Sequence, residues 1–335
     1  MTKWYINDDN PEGLAPLCDL QATFELRTGG LTTLERLTQK MGCEPSGFLC
    51  TDSLRAAMIT EQTGLTHVSG VKVSEIDVPA IESPWAVLNL LPELLKLDLE
   101  NAEPLRGEYS ATSFGNHRID IHPTAVVLPG VILDASQGSI RVEEGAVIHP
   151  TAVLIGPCWI GKHSRVYEQA LIKMNTSIGP FCKLSGEVGG TIFQGYSNKC
   201  HEGHLGDSVI GKWVNFGAGT TNSNLLNTYG DIIVADLEGK RHKTGRQYVG
   251  CFVGDHVKFA ICTRIMTGTI VGTGAMIANS KPVPSPTPRF AWVTDNGTRT
   301  YQINKFLEVA RTVMKRREVE LGESAEAVLR SLANE

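Results

Sequence analysis

The chain is poor in three features that would each assign it to a broad class. Its longest uncharged apolar stretch, near Trp85–Leu91, is far short of the ~18 to 20 residues a membrane span requires. Its opening, MTKWYINDDNPE, lacks the apolar segment of a secretory signal, so no membrane association and a cytoplasmic location are expected. Positive charge is also scarce: 31 Lys and Arg against 36 Asp and Glu leave 31 − 36 = −5. Neutralising a phosphate backbone needs concentrated cations, so no nucleic-acid partner is expected and any basic site must be local. The eight cysteines, Cys18, Cys43, Cys50, Cys158, Cys182, Cys200, Cys251 and Cys262, form no C-x-x-C pair. Scattered reduced thiols, with neither a disulfide frame nor a thiolate metal site, are the simplest reading.

Glycine, by contrast, is abundant at 34 of 335 residues, about a tenth where ~7% is usual, which implies many tight turns. A repeat accompanies it. Every sixth residue from Val142 is aliphatic: Val142, Ile148, Leu154, Ile160, Val166, Ile172, Ile178 and Leu184. Four places after each of the first seven stands a compact residue: Ala146, Ala152, Cys158, Ser164, Ala170, Thr176 and Cys182. The beat also appears at Ile121, Val127 and Leu133, slips by three around Gln137–Ser139, and returns at Val253, Phe259, Ile265, Val271 and Ile277. A helix repeats near 3.6 residues and a half-buried strand at 2, so neither explains a sustained six. One short strand and one turn per hexad does. Three hexads close one triangular coil, and stacked coils bury a continuous apolar column. The pattern resembles the left-handed parallel β-helix of hexapeptide-repeat proteins, and the handedness is implied by that resemblance alone.

The expected fold class is therefore mainly β: a β-helix over 113–282, a small α/β region over 1–112, and a C-terminal segment over 283–335. In the first region Trp4–Ile6, Phe24–Leu26 and Gly47–Cys50 read as strands, and 31–39 and 83–97 as helices. Ser83 with Pro84 reads as a helix start, and Pro92 is expected to kink or restart that helix. Pro282, Pro284, Pro286 and Pro288 read as a stiff extended linker. Ile303, Phe306, Leu307, Ala310, Val313 and Met314 then recur at helical spacing over 300–318, and a second helix is expected from about Ser324.

The hexad fails over 187–208, EVGGTIFQGYSNKCHEGHLGDS, and loops carry function more often than packed coils do, so a loop is expected there. His201 and His204 stand just before the glycine-rich turn Gly217-Ala218-Gly219, with amides at Asn215, Asn222 and Asn224. The string H-x-x-x-L-G-D-x-x-I-G-x-x-V-N-x-G-A-G-T from His201 is similar to the acetyltransferase half of a bacterial family. That family comprises the bifunctional N-acetylglucosamine-1-phosphate uridylyltransferases/glucosamine-1-phosphate acetyltransferases. The form G-Y-S-N-K-x-H-x-G-x-L-G is closer still to sugar nucleotidyltransferases related to them. The likeness covers roughly 115–280 well and the N-terminal region weakly.

The resemblance implies acetyl-CoA as co-substrate, a small sugar acceptor, and a homotrimer with sites between neighbouring β-helices. It implies that His201 is the general base, a role that suits an imidazole titrating near neutral pH. Asn215 would bind the acceptor, with His204 and Lys199 beside it. The Ala218 amide would face the acetyl oxygen where charge develops, and Asn224 and Ala278 would lie along the acyl donor. Departures accompany the match. His204 stands where the family has Tyr, and Tyr167 and Gly189 stand where it has a phosphate-gripping Arg and Lys. Arg165, Lys173, Lys183 and Lys199 are nearby anion candidates, although single basic residues on such a wall are ordinarily just solvated. The same reading applies to Arg311, Lys315, Arg316 and Arg317, with phosphate contact as the minority alternative.

Each site has a plainer alternative. The two histidines can simply satisfy local backbone groups. Zinc is not expected, because His201-Glu202-Gly203-His204 has spacing three where H-E-x-x-H has four, and Cys200 is read as inert. The nucleotidyltransferase string L-x-A-G-x-G-T-R is absent. Its nearest counterpart is Glu25–Gly30, where Arg27, Gly29 and Gly30 are candidates to meet phosphate, an ordinary strand–turn–helix connection being equally compatible. Three functions follow: an acyl-CoA-dependent transferase, a sugar-1-phosphate nucleotidyltransferase using Mg²⁺ in the N-terminal region, or a trimeric scaffold without turnover.

Overall fold

A computed structural model describes residues 3–71 and 81–334. Short strands stack in parallel into three faces: eight strands on the first; ten on the second, the last of which, Gly297–Thr300, turns back antiparallel; and six on the third, prolonged by the pair Thr221–Asn222 and Arg264–Ile265. Val142 pairs with Ile160 and Ile160 with Ile178, so each regular coil takes three hexads. Every aliphatic residue of the hexad series from Val142 to Leu184 is fully buried, as is the compact series from Ala146 to Cys182. Burying both series makes the β-helix interior one continuous apolar cluster from Ile121 to Val293.

The departures from rhythm are resolved by register. The slip at Gln137–Ser139 lengthens one coil, so Ile121 pairs with Val142. The stretch expected to loop out does not leave the wall. It stays on the coil as Glu187–Gly189, Ile192–Gly195, Asn198–Lys199 and His204–Gly206, because the faces shorten. Ile178 pairs with Phe193 and Phe193 with Ile210, and both steps fall short of three full hexads. The large excursion comes later. Ile210 pairs with Val253, a step more than twice as long as a regular coil, and the surplus carries the antiparallel hairpin Ile233–Ala235/Arg241–Lys243.

The edge between the first and second faces carries an aromatic ladder. His163, Phe181, Tyr196, Trp213 and His256 all sit at positive φ, between 55° and 64°. Non-glycine residues adopt that conformation at a cost, offset here by ring stacking at centroid spacings of 4.9, 4.9, 4.3 and 6.1 Å.

The N-terminal region supplies α1 (Thr33–Met41), α2 (Ser53–Thr63), α3 (Pro84–Asn101) and one parallel strand pair, Ile6–Asn7 with Phe48–Leu49. Helix α1 begins at a capping box of Thr32 and Glu35 and ends at Gly42 with φ 68°. The expected strand at Phe24–Leu26 is instead a 3₁₀ turn over Thr23–Glu25, and α2 had no counterpart in the sequence reading. Helix α3 runs through Pro92 without interruption. Proline removes the N–H that would bond the Leu88 carbonyl four residues back, and the Arg246 guanidinium donates to that carbonyl at 3.2 Å instead.

These segments lie on the β-helix. Val87, Leu88, Leu91, Leu95 and Leu99 of α3 share a core with Trp159, Ile192, Val209, Phe252 and Ile270 on the outer side of the first face. Trp4, Phe24, Phe48 and Met58 share another with Phe306 and Leu307 of α4 (Ile303–Lys315) and Leu329 of α5 (Glu323–Leu332). The proline run is extended, but it winds a further turn onto the column. Val283 is buried there, and the strand Ala291–Thr294 pairs with Met276–Ala278.

Candidate active site

The edge between the second and third faces gathers most of the residues singled out in the sequence. The strand Asn198–Lys199 belongs to the second face and His204–Gly206 to the third, so His201 and Glu202 turn the corner, both exposed. Gly203 completes that corner at φ 115°, and a Cβ there would lie 2.2 Å from the Thr220 carbonyl oxygen. Only glycine lets this corner stack directly beneath the next one, Gly217-Ala218-Gly219. The Ala218 carbonyl accepts from the Cys262 N–H at 2.7 Å, tying in the following corner. Among the described residues the Ala218 N–H has no backbone acceptor. Ala278, exposed, lies two coils above Ala218 and three above His201, about 14 Å at the ~4.8 Å spacing of strands.

Lys199 faces inward. Its neighbours in the column are Leu184 on one side and the Phe216 level on the other, and it is 2% exposed. The ammonium donates to the carbonyls of Ser185 at 3.2 Å and His201 at 2.9 Å. Burial pulls its pKa down to about 8, with Glu202 and Cys200 acting the other way. It is thus a strut that holds the backbone of His201 from inside the column, whereas the sequence placed it beside the acceptor. Burial raises the Cys200 thiol above its ordinary value, which Lys183, Arg317 and Lys199 oppose.

On the third face His204 Nδ1 lies 3.2 Å from the Asn222 carbonyl, and its Nε2 4.0 Å from Glu187. Asn224 donates to Asp207 at 2.6 Å, and burial raises the Asp207 carboxyl above the usual range. The His204 ring and the Asn224 amide both crowd Gly206, where a Cβ would sit 2.7 Å from each. Asp207 and Glu187 therefore join a polar patch with His204 and Asn224. Asp207 was legible as the Asp of the L-G-D motif, whereas Glu187 carried no signal. Asn215 is exposed on the second face, in register between Asn198 and Lys258.

Arg27, Gly29 and Gly30 are remote from this edge, packed on the first face. The Arg27 N–H donates to Gln194 Oε1 at 2.8 Å, its carbonyl accepts from Gln194 Nε2 at 3.0 Å, and its guanidinium bonds the Gly30 carbonyl and pairs with Glu35. The Gly29 carbonyl accepts from Ser177 Oγ, and a Cβ on Gly30 would lie 2.3 Å from the Trp159 ring. The glycines allow this close docking, and these contacts engage the backbone of the segment in packing against the first face. Among the described residues no group of three or more His, Cys, Asp or Glu is placed to hold a metal ion, and no helix is long and apolar enough to cross a membrane.

A three-sided parallel β-helix whose inward positions recur every six residues defines the class of hexapeptide-repeat solenoids, and comparison with curated proteins narrows it. The chain is 34% identical over 137 residues to the bifunctional sugar-1-phosphate nucleotidylyltransferase/acetyltransferase of Sulfurisphaera tokodaii, covering 41% of this chain and 33% of that protein. It is 26% identical over 297 residues to the bifunctional protein GlmU of Thermotoga maritima, covering 82% and 61% respectively. It is 35% identical over 142 residues to the bifunctional protein GlmU of Methanococcus maripaludis strain S2, covering 42% and 34%. The chain thus spans between about a third and three fifths of the length of these relatives. No family-wide sequence profile matches it.

Proposed function

We propose that this chain is an acyl-CoA-dependent transferase that acetylates the amine of an amino sugar or a phosphorylated amino sugar. The observation that carries this reading is the exposed His201 imidazole, one coil below the unengaged Ala218 N–H on the same edge. His201 takes a proton from the acceptor ammonium, and the freed amine attacks the thioester carbonyl of acetyl-CoA. As the C–N bond forms, the carbonyl becomes an oxyanion that accepts the Ala218 N–H. Collapse expels the CoA thiolate, which takes the proton held by the imidazolium, and the imidazole so freed accepts the second proton from the attacking nitrogen and passes it to water, leaving the neutral amide. Asn215 on the second face and His204 on the third flank the acceptor, Asn224 flanks the donor, and the pantetheine arm runs up the edge towards Ala278. The Sulfurisphaera tokodaii relative, whose name couples nucleotidylyltransferase with acetyltransferase, supports the class.

The nucleotidyltransferase alternative, with its Mg²⁺, has less support here, because the Arg27–Gly30 segment is occupied by packing. A cytoplasmic homotrimer completes the proposal, with a neighbouring β-helix closing the acyl-donor groove. Thiol release from acetyl-CoA, screened over amino sugars, their phosphates and nucleotide sugars beside His201→Ala, tests the reading. Turnover confined to the unmutated chain supports it, and equal turnover in both rejects the base. A monomeric mass by light scattering rejects the trimer.

A further inference from the structure

Four cations from distant parts of the chain converge on the second face, beside the His201 corner. Arg165 and Lys183 are directly opposite each other on adjacent strands, and Asn198 is next in the same outward row. From the end of α4, the Arg317 guanidinium crosses to donate to Asn198 Oδ1 at 2.8 Å, bringing Arg316 with it. Among the described residues none of the four forms an ion pair with a carboxylate: Glu318, next to Arg317 in the chain, pairs with none of them, and two further acids are engaged elsewhere. Glu168 lies 3.1 Å from His149 Nδ1, and Glu326 is shared by Arg311 and Arg330. Like charges opposed across a strand pair are destabilising unless something relieves them. The mutual effect is felt here: after burial, the neighbours Arg317, Arg165 and Arg316 are what hold the Lys183 ammonium below its ordinary value. Arg165 and Arg316 are exposed and Lys183 and Arg317 half-buried, so the row is open to a ligand.

We propose that Arg165, Lys183, Arg316 and Arg317 form a phosphoryl-binding site, walled by the second face and closed by the end of α4, with Asn198 fixing Arg317. Phosphoryl oxygens match this set: planar guanidinium forks give paired hydrogen bonds, and the ammonium adds a compact charge. The residues differ from Tyr167 and Gly189, the uncharged pair at the positions the resemblance assigns to phosphate. Given the transferase reading above, on which this step rests, the ligand is the phosphoryl group of the acceptor. The C-terminal helix then selects phosphorylated over free amino sugars.

The test is calorimetric titration of the full chain with inorganic phosphate and with pyrophosphate, for the unmutated protein, R165A/K183A, R317A and the charge-preserving R165K/K183R. Binding that weakens with salt, falls roughly tenfold or more in R165A/K183A and in R317A, and survives in R165K/K183R is the expected result. Circular dichroism confirms that each variant is folded. Failure of the unmutated chain to bind either anion, or equal binding by R165A/K183A, overturns the site. Tighter binding of an amino-sugar phosphate than of pyrophosphate assigns a monophosphate acceptor; the reverse order, with a nucleotide sugar binding tighter still, assigns a diphosphate. Anion binding that follows these cations while no acetyl transfer is found keeps the site and rejects the transferase reading. Acetyl transfer with the acceptor KM unmoved in R317A does the opposite.

Discussion

Between Ile140 and Leu184 the coils keep their three-hexad rise, and the inward series holds aliphatic and compact side chains alone. Between Glu187 and Ile265 the coils first shorten below three hexads and then swell by the hairpin excursion. There an ammonium replaces an aliphatic side chain in the column at Lys199. Both regions share one pairing scheme, so the contrast separates what holds the scaffold from what equips it. Regular coils bury apolar area while their strands pair along the column, leaving little to bind or react with. The irregular coils place glycines, the Ala218 amide and the His201 imidazole along one edge.

That division is broken most severely by His201→Ala, which is expected to lower acetyl transfer by roughly 100- to 10,000-fold while leaving the melting curve nearly unchanged. The opposite profile is expected for Ile160→Ala in the regular coils: about 2 to 5 kcal/mol lost in denaturant unfolding, with normal turnover per folded molecule. If activity per folded molecule fell as far as stability, scaffold and site would not be separable. Gly203→Ala joins both effects, since its Cβ would meet the Thr220 carbonyl at a backbone angle of 115°. It is expected to cost about 1 to 3 kcal/mol and to displace His201, visible as lost activity in a still-folded chain.

Arg246→Ala strips the Leu88 carbonyl of its donor and is expected to cost about 1 to 2 kcal/mol, measured by hydrogen exchange along α3. The smallest effect concerns pH. Lys199 titrates near 8 in the folded chain against 10.5 ordinarily, so between those values the unfolded chain binds more protons and stability rises with pH. Lys199→Met is expected to remove part of that rise. Lys258, also near 8 through burial, keeps the remainder, and an unchanged slope would show that Lys199 is not the buried amine inferred here.

The hexad was legible because it is local and repeated: each coil imposes the same demand on the same two positions, and the interior residues named from sequence are buried without exception. The corner motif around His201 was legible too, since corner, glycine turn and amides are close in the chain. Pro92 shows the limit. Its effect on α3 depended on Arg246, in a distant part of the chain, and no local rule anticipates such a partner. The Arg27–Gly30 segment reads as a phosphate loop until the packing of Trp159 and Gln194 against it is known.

A six-residue period and its aliphatic occupants thus dictate a stacked three-sided coil, because strand pairing and apolar burial answer the same local pattern at every turn. Chain folding back on the wall decided the rest: that Lys199 is a strut, that the N-terminal glycines serve docking, and that Arg317 reaches Asn198 beside Lys183. Those outcomes depend on which surfaces remain to be covered once the column is built, and that is a property of the assembled molecule.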